Sequence, residues 1–212
     1  MFNRGYTQSL LGLATLVAAA TSIGVMAGSA LAKAPPGDCG WQSLTEPLSS
    51  LGDTNAYFLV AGSSFEADLD GWSLDGAAVV PGNETYFAND PGDAKSLAVP
   101  AGTSATSPGL CVTVESPTLR FFLRNTGAKD AKLRVSLNFT DKDGRPRTQK
   151  LKDVAADSVG AWELTDPLKF LGPINSILDK NGKATVGFTF EPKDDKGNWQ
   201  IDDLFVDPMK SQ

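Results

Sequence analysis

From about residue 56 onward the chain reads in twos. Leu133, Val135, Leu137 and Phe139 alternate with Arg134, Ser136, Asn138 and Thr140, and Val186, Phe188 and Phe190 alternate with Thr185, Gly187 and Thr189. Leu119, Phe121 and Leu123 alternate with Arg120 and Arg124, although Phe122 breaks the polar set. Successive side chains of a strand point to opposite faces, so this period predicts antiparallel strands with one buried and one polar face. Turn signals divide the runs: Asp75-Gly76, Pro81-Gly82-Asn83, Pro91-Gly92-Asp93, Pro100-Ala101-Gly102, Asp143-Gly144 and Asn181-Gly182. Glycine and asparagine accept positive φ and proline presets its own, so each cluster ends a strand. Short strands at this spacing predict an all-β, antiparallel sandwich or barrel, with a single helical turn over 173–180.

Residues 33–55 break the period. Pro35-Pro36-Gly37, Pro47, Ser49-Ser50 and Gly52-Asp53 predict an irregular N-terminal arm before a sandwich over 56–208. Residues 1–32 have a different character again. Arg4 is followed by an apolar run from Leu10 to Ile23 and then by Ala30-Leu31-Ala32, the three parts of a cleaved secretory signal peptide. A membrane anchor is the competing reading, but Ser22, Gly24, Gly28 and Ser29 dilute the run. Asp38 before Cys39 does not fit a lipidation site. The expected product is a soluble, secreted protein starting at Lys33, a monomer with no membrane insertion after cleavage.

That product carries 18 basic against 25 acidic residues, a net charge of −7. An acidic chain without a basic cluster is unsuited to nucleic acid. About 180 residues suffice for one sandwich core. The two cysteines, Cys39 and Cys111, predict one disulfide in an oxidising compartment. Closing a loop of about 70 residues would stabilise by roughly 4 kcal/mol in the chain-entropy model. There is no histidine, which excludes Ser-His-Asp and Cys-His catalysis and histidine-ligated metals. A carboxylate pair for glycoside cleavage is not identifiable from the sequence.

Two segments bracket the strand region: Phe58-Leu59-Val60 with Ser64-Phe65-Glu66 and Gly71-Trp72 at its start, and Trp199-Gln200-Ile201-Asp202-Asp203-Leu204 at its end. With Ser96-Leu97-Ala98-Val99, they resemble the opening, second-sheet and closing strands of jelly-roll carbohydrate-binding modules and galactose-binding-like domains. Cys39, Ser104 to Pro108, Cys111 and Arg120-Phe121-Phe122 also resemble a group of secreted actinobacterial proteins, which implies export and fold but no activity. The first resemblance implies a jelly-roll β-sandwich and a structural Ca²⁺ joining the first and last strands. Its ligands would be Glu66 and either Asp202 or Asp203. Asp68 and Asp70 lack the spacing of an EF-hand loop and are expected in a solvated turn.

If a sugar is bound, its C–H faces need exposed rings. Trp72 and Trp199 fall inside strand motifs and are expected in the core. Trp162 and the Tyr86-Phe87 pair are therefore the candidate ligand-binding rings. The expected function is a secreted, non-catalytic binding domain whose partner is a polysaccharide or cell-surface glycan, of cell-wall or environmental origin. The competing reading is a structural or adhesion protein of the cell surface with protein partners. A glycan-active enzyme ranks behind both.

Overall fold

The computed structural model describes Met1 and residues 42–207, apart from 68, 70, 116 and 117. Cys39, Trp41 and the expected signal peptide beyond Met1 lie outside the described residues. The early strands are β1 (Phe58–Leu59), β2 (Ser73–Asp75), β3 (Ala78–Pro81), β4 (Lys95–Val99), β5 (Ser104–Thr106) and β6 (Leu110–Thr113). The long ones follow: β7 (Thr118–Asn125), β8 (Leu133–Thr140) and β9 (Pro146–Val154). Next come β10 (Trp162–Leu164), β11 (Leu168–Lys169), the short helix α1 (Leu171–Asn175), β12 (Lys183–Pro192) and β13 (Trp199–Asp207).

All strand pairs are antiparallel. One sheet runs β10-β7-β13-β4-β3, with β1 also on β13 and β11 also on β7. The other runs β2-β5-β12-β8-β9, with β6 also on β12. Consecutive strands such as β4 and β5, or β12 and β13, belong to different sheets. The chain therefore crosses repeatedly between two layers: the antiparallel sandwich expected from the alternation, with the jelly-roll form that the resemblance implied, is the fold observed.

The alternating apolar set forms the core. Phe121 and Leu123 of β7 meet Phe188 and Phe190 of β12 and Val135 and Leu137 of β8, all buried. Phe121 and Phe190 pack edge to face across the layers at 5.1 Å, and Phe170 and Phe188 at 5.4 Å. Each fully buried ring contributes about 1.5–3 kcal/mol, and the edge-to-face geometry adds to it.

Phe122, the break in the alternation, has its own explanation. It points to the opposite face of its sheet, into a second cluster with Leu48, Tyr57, Trp162 and Phe205. Leu48 belongs to the arm, which returns over this face and pairs Thr45 with Tyr57. Asp53 fastens it. Arg120 Nη1 and the Tyr57 hydroxyl both donate to Asp53 Oδ2 at 2.6 Å. Burial pushes the Asp53 carboxyl up, but the hydrogen bonds from Tyr57 and Asn55 and the Arg120 charge outweigh it and leave it low.

The expected helical turn over 173–180 is seen as α1, shifted toward the N-terminus. Cys111 sits on β6, opposite Thr185, and is disulfide-bonded; its expected partner Cys39 is outside the described residues.

Candidate functional site

The opening and closing motifs meet at one irregular point of β13. Between Asp202 and Phe205 the register with β7 shifts, so residues 203 and 204 of β13 oppose the single Phe121 of β7. Such a bulge cancels the two-residue alternation locally. Asp203 takes a left-handed φ of 42°, and both Asp202 and Asp203 turn out of solvent. Residues 60–66 are stitched onto this bulge. Val60 N–H donates to Leu204 O at 2.8 Å, Asp203 N–H to Ser63 O at 2.9 Å, and Leu204 N–H to Ser63 Oγ at 3.0 Å. Gly71 supports the same corner, because its φ is 82° and a Cβ there would lie 2.8 Å from Pro108 Cβ. Its neighbour Trp72 packs edge to face on Phe65 at 5.2 Å and donates Nε1–H to Ala61 O at 2.9 Å.

Around the bulge the carboxylates gather. Asp202 accepts from Glu84 N–H at 3.1 Å and from Asp203 N–H at 3.0 Å. Burial, then the Asp203 charge, pushes Asp202 up to about 9. Asp203 is 0 % exposed, and among the described residues no donor meets either of its carboxylate oxygens in full hydrogen-bond geometry. Burial, then the charges of Asp93 and Glu84, pushes Asp203 up to about 8, with Glu66 adding to the rise and the Asn89 backbone N–H opposing it. Glu66 accepts the Ala94 and Lys95 N–H groups at 2.6 and 2.5 Å. Glu84 is also buried, and its carboxylate receives the N–H groups of Tyr86 and Ala88. Burial, and the Asp93 charge behind it, raises Glu84 despite these bonds. Asp93 is raised by burial first, with the Asn89 side chain opposing and Glu66 and Asp90 adding.

Glu66, Asp202 and Asp203 are thus brought to one corner. Glu84 and Asp93 join them from the β3–β4 loop; in sequence they are hidden in a turn-rich stretch that gives no sign of burial. Among the described residues, no three of these side chains already form a metal-holding group. Asp68 and Asp70, expected in a solvated turn, are outside the described residues.

The loop that carries Glu84 and Asp93 also carries the expected rings. Tyr86 is 42 % and Phe87 51 % exposed. Tyr86 stacks on Phe122 with ring centroids 5.2 Å apart and donates its hydroxyl to Trp162 O at 3.3 Å. Phe87 has a φ of 51°, a conformation that costs a bulky residue about 1–3 kcal/mol and persists where the surroundings impose it. Trp162 corrects the expectation. It is 6 % exposed, and its ring lies in the second cluster against the sheet, closed to any ligand. Trp199 is buried as expected, and Trp72 is half-buried.

Among the described residues, other surfaces hold no exposed ring of this kind. On the outer face of the six-stranded sheet a polar ladder crosses four strands: Thr148 Oγ1 donates to Asn138 Oδ1 at 2.8 Å, Asn138 Nδ2 to Thr189 Oγ1 at 2.5 Å, and Thr189 shares a 2.8 Å bond with Thr106. At the end of the β8–β9 hairpin a shallow groove is lined by Phe139, Asp141, Arg147 and Ile177. Asp141 there is already committed to Arg147 and the turn's own N–H groups.

No family model matches the chain, and no curated protein does. Solved structures are similar at a distance. One is the Clostridium thermocellum endo-1,4-beta-D-xylanase 10B CBM22-1–GH10 pair complexed with xylohexaose, at 14% identity and a TM-score of 0.46 over 70% of this chain and 28% of that one. The chain thus spans under a third of that two-module structure. Another is the CBM22-1 xylan-binding domain of Paenibacillus barcinonensis Xyn10C, at 15% identity and 0.46 over 71% and 93% of the two chains. A third is TmCBM61 in complex with beta-1,4-galactotriose, at 15% identity and 0.37 over 69% and 94%. Likeness this remote carries neither a ligand nor a site residue over to this chain.

Proposed function

We propose that the protein is a secreted, non-catalytic β-sandwich that binds carbohydrate, a cell-wall or environmental glycan, through the Tyr86–Phe87 edge. The observation that carries this reading is Phe87 itself, a large ring held outward in a strained backbone conformation beside a second, rigidly stacked ring. Soluble domains have little reason to keep such a ring exposed, whereas a pyranose offers it a flat C–H face. The Tyr86 hydroxyl and the adjacent Asn89 and Asp90 of the same loop supply polar groups for sugar hydroxyls. Affinity electrophoresis and pull-down on insoluble polysaccharides test this, with a glycan array to widen the search. Phe87→Ala and Tyr86→Ala should lose retention while melting near the wild type. Wild-type protein that no polysaccharide retains would overturn the reading in favour of a protein partner.

The same corner fits a calcium ion. Among the described residues every donor there is a hard oxygen, with no thiolate or imidazole, and the buried Asp203 carboxylate meets no donor in full hydrogen-bond geometry. Asp203 and Glu66 would ligate it, with Asp202 occupied in holding Glu84 N–H and Asp203 N–H. The ion would supply charge compensation and a cross-link, with no chemical step. Calorimetric titration of chelated protein should show one site, and Glu66→Ala should weaken it.

A further inference from the structure

We infer that the groove at the end of the β8–β9 hairpin, with the basic edge strand that leads out of it, is a second binding site, one that takes a polysaccharide bearing carboxylates. It uses none of the residues of the Tyr86–Phe87 edge and does not depend on that reading.

The charge of the chain is unevenly placed. Residues 142–152 hold five basic side chains and one acidic, while the rest of the chain from Lys33 holds 13 basic and 24 acidic. No unbroken basic run marks the segment, and the hairpin assembles it. β9 ends the order of the six-stranded sheet, so among the described residues one of its sides has no partner strand. Residues 142–150 are all exposed. Lysines and a bulge on an edge strand keep other chains from pairing with it, and the register shift opposite Val135 and Ser136 puts such a bulge in β9. That accounts for Lys150 and Lys152. It does not account for cations gathered over a concavity at the turn.

The groove there has a volume of about 460 Å³, and its walls come from the hairpin and from Ser176 and Ile177 after α1. Phe139 and the partly exposed Ile177 give it an apolar patch. Lys142 and Gln149 also line it, and neither side chain has a partner among the described residues. Arg147 gives its Nε–H to Asp141 at 2.8 Å, and its half-exposed guanidinium keeps the terminal N–H groups. Such a planar fork takes a carboxylate through two parallel hydrogen bonds. The acids of the groove are engaged, Asp141 by Arg147 and the turn's N–H groups, Asp143 by Arg145 at 3.6 Å. Farther along β9, Lys150 and Lys152 meet Asp153 and Asp166 at 3.5 and 3.6 Å. Pairs made by exposed lysines are weak, and a ligand carboxylate can replace them.

Charge and reach together select the ligand. A strand advances about 3.3 Å per residue, so Arg147 and Lys152 stand roughly 15 Å apart, the reach of an extended chain rather than of one small anion. A dense polyanion such as nucleic acid is repelled by the acids of the groove and by the negative remainder of the domain. A glycan with one carboxylate per sugar spaces its charges. Between them it offers hydroxyls to Gln149 and C–H faces to Phe139 and Ile177.

The test is affinity electrophoresis of the full chain in gels containing polygalacturonate, its methyl-esterified form or polyglutamate. Polygalacturonate should retard the wild type about tenfold more strongly than the esterified polymer does, and raising NaCl from about 50 to about 500 mM should remove most of the effect. The double variant Lys142→Gln, Arg147→Gln should lose about tenfold in retention, the usual cost of a charge-assisted contact, and melt close to the wild type. Lys196→Gln removes the same charge from the β12–β13 turn, at the far end of the sheet, and should leave retention unchanged. Equal retardation by the acidic and esterified polymers overturns the inference, as does an unchanged double variant. Polyglutamate that retards the protein as strongly as polygalacturonate overturns the glycan and assigns the edge to an acidic protein segment.

Discussion

Replacing Asp203 by asparagine is expected to stabilise the metal-free protein and to abolish its response to calcium. Asparagine keeps the size of the side chain and accepts the φ of 42°, since Asn and Asp are the non-glycine residues most at home in that region. The Asp203 N–H bonds to Ser63 O and Asp202 Oδ1 are untouched. What disappears is a buried carboxyl that no described donor meets in full hydrogen-bond geometry, pushed up to about 8. At pH 7 without a cation, folding must load this group with a proton that the unfolded chain, at the ordinary value of 3.8, does not hold. That gap of about 3 pH units corresponds to about 4 kcal/mol, at about 1.4 kcal/mol per pH unit. The new amide brings buried donors that cost about 1–3 kcal/mol if unpaired. The difference is a gain of about 1–3 kcal/mol, or roughly 2–12 °C in Tm for a domain of this size.

The pH dependence follows in sign. A carboxyl raised in the folded state gives stability that is greatest below its unfolded value and declines as pH rises toward its folded one. In EDTA the wild type should therefore lose stability from pH 5 to 8, with Asp202 extending the decline toward 9. Asp203→Asn should show a shallower slope. Thermal melts across that range, with and without Ca²⁺, measure all of this. A variant that melts below the wild type in EDTA at pH 7, or follows it with the same slope, refutes the reasoning.

Trp199→Ala and Trp162→Ala should each destabilise by about 3–5 kcal/mol, since both rings are buried, and Trp72→Ala by less; denaturant titrations rank them, and a mild Trp162→Ala would contradict its place in the second cluster. In the chain from Lys33 the tyrosines are Tyr57 and Tyr86, and burial, then the Asp53 hydrogen bond, pushes Tyr57 up to about 12. Absorbance titration should show it ionising last, stability should fall as pH rises from 10 to 12, and Asp53→Asn should bring the ionisation down; an unchanged curve in that variant counts against the pairing. Intact mass of the secreted protein should begin at Lys33 and lie two hydrogens below the reduced chain, whereas two thiols that label in the native state would exclude a Cys39–Cys111 bond.

The fold was legible where strands are long and half-buried. The alternation in β8 and β12 names the residues that form the core, because in an eight- or ten-residue strand one face must be consistently apolar. Phe122 looked like an error in that pattern and is instead the mark of a second packed face, covered by the arm. Trp162 was misread for a related reason. It opens a three-residue strand, too short for periodicity to say which face it takes, and that face is the covered one. The neighbouring acids were legible only as residue types. A regular strand would place one of Asp202 and Asp203 inward and the other outward, and it is the bulge and the left-handed φ of Asp203 that bury both. Glu84 and Asp93 stand in a loop full of turn signals, where nothing in the local sequence announces a buried carboxylate.

The location of these acids gives the corner its leverage over the rest of the molecule. Glu66, Glu84, Asp93 and Asp203 come from segments separated by up to 137 positions along the chain, and the closing strand to which Asp203 belongs lies in the middle of its sheet. Acids placed at the rim of a sandwich would be solvated and nearly neutral in their effect. Acids on a central strand must be neutralised by a proton or by a cation, and the two remedies differ in what they organise. A proton satisfies one carboxyl at a time and ties nothing together. A divalent ion would satisfy several at once and close the long loops between them, so that its free energy of binding would become free energy of folding. That difference separates a corner that only weakens the bare sandwich from one that a bound cation would turn into a cross-link.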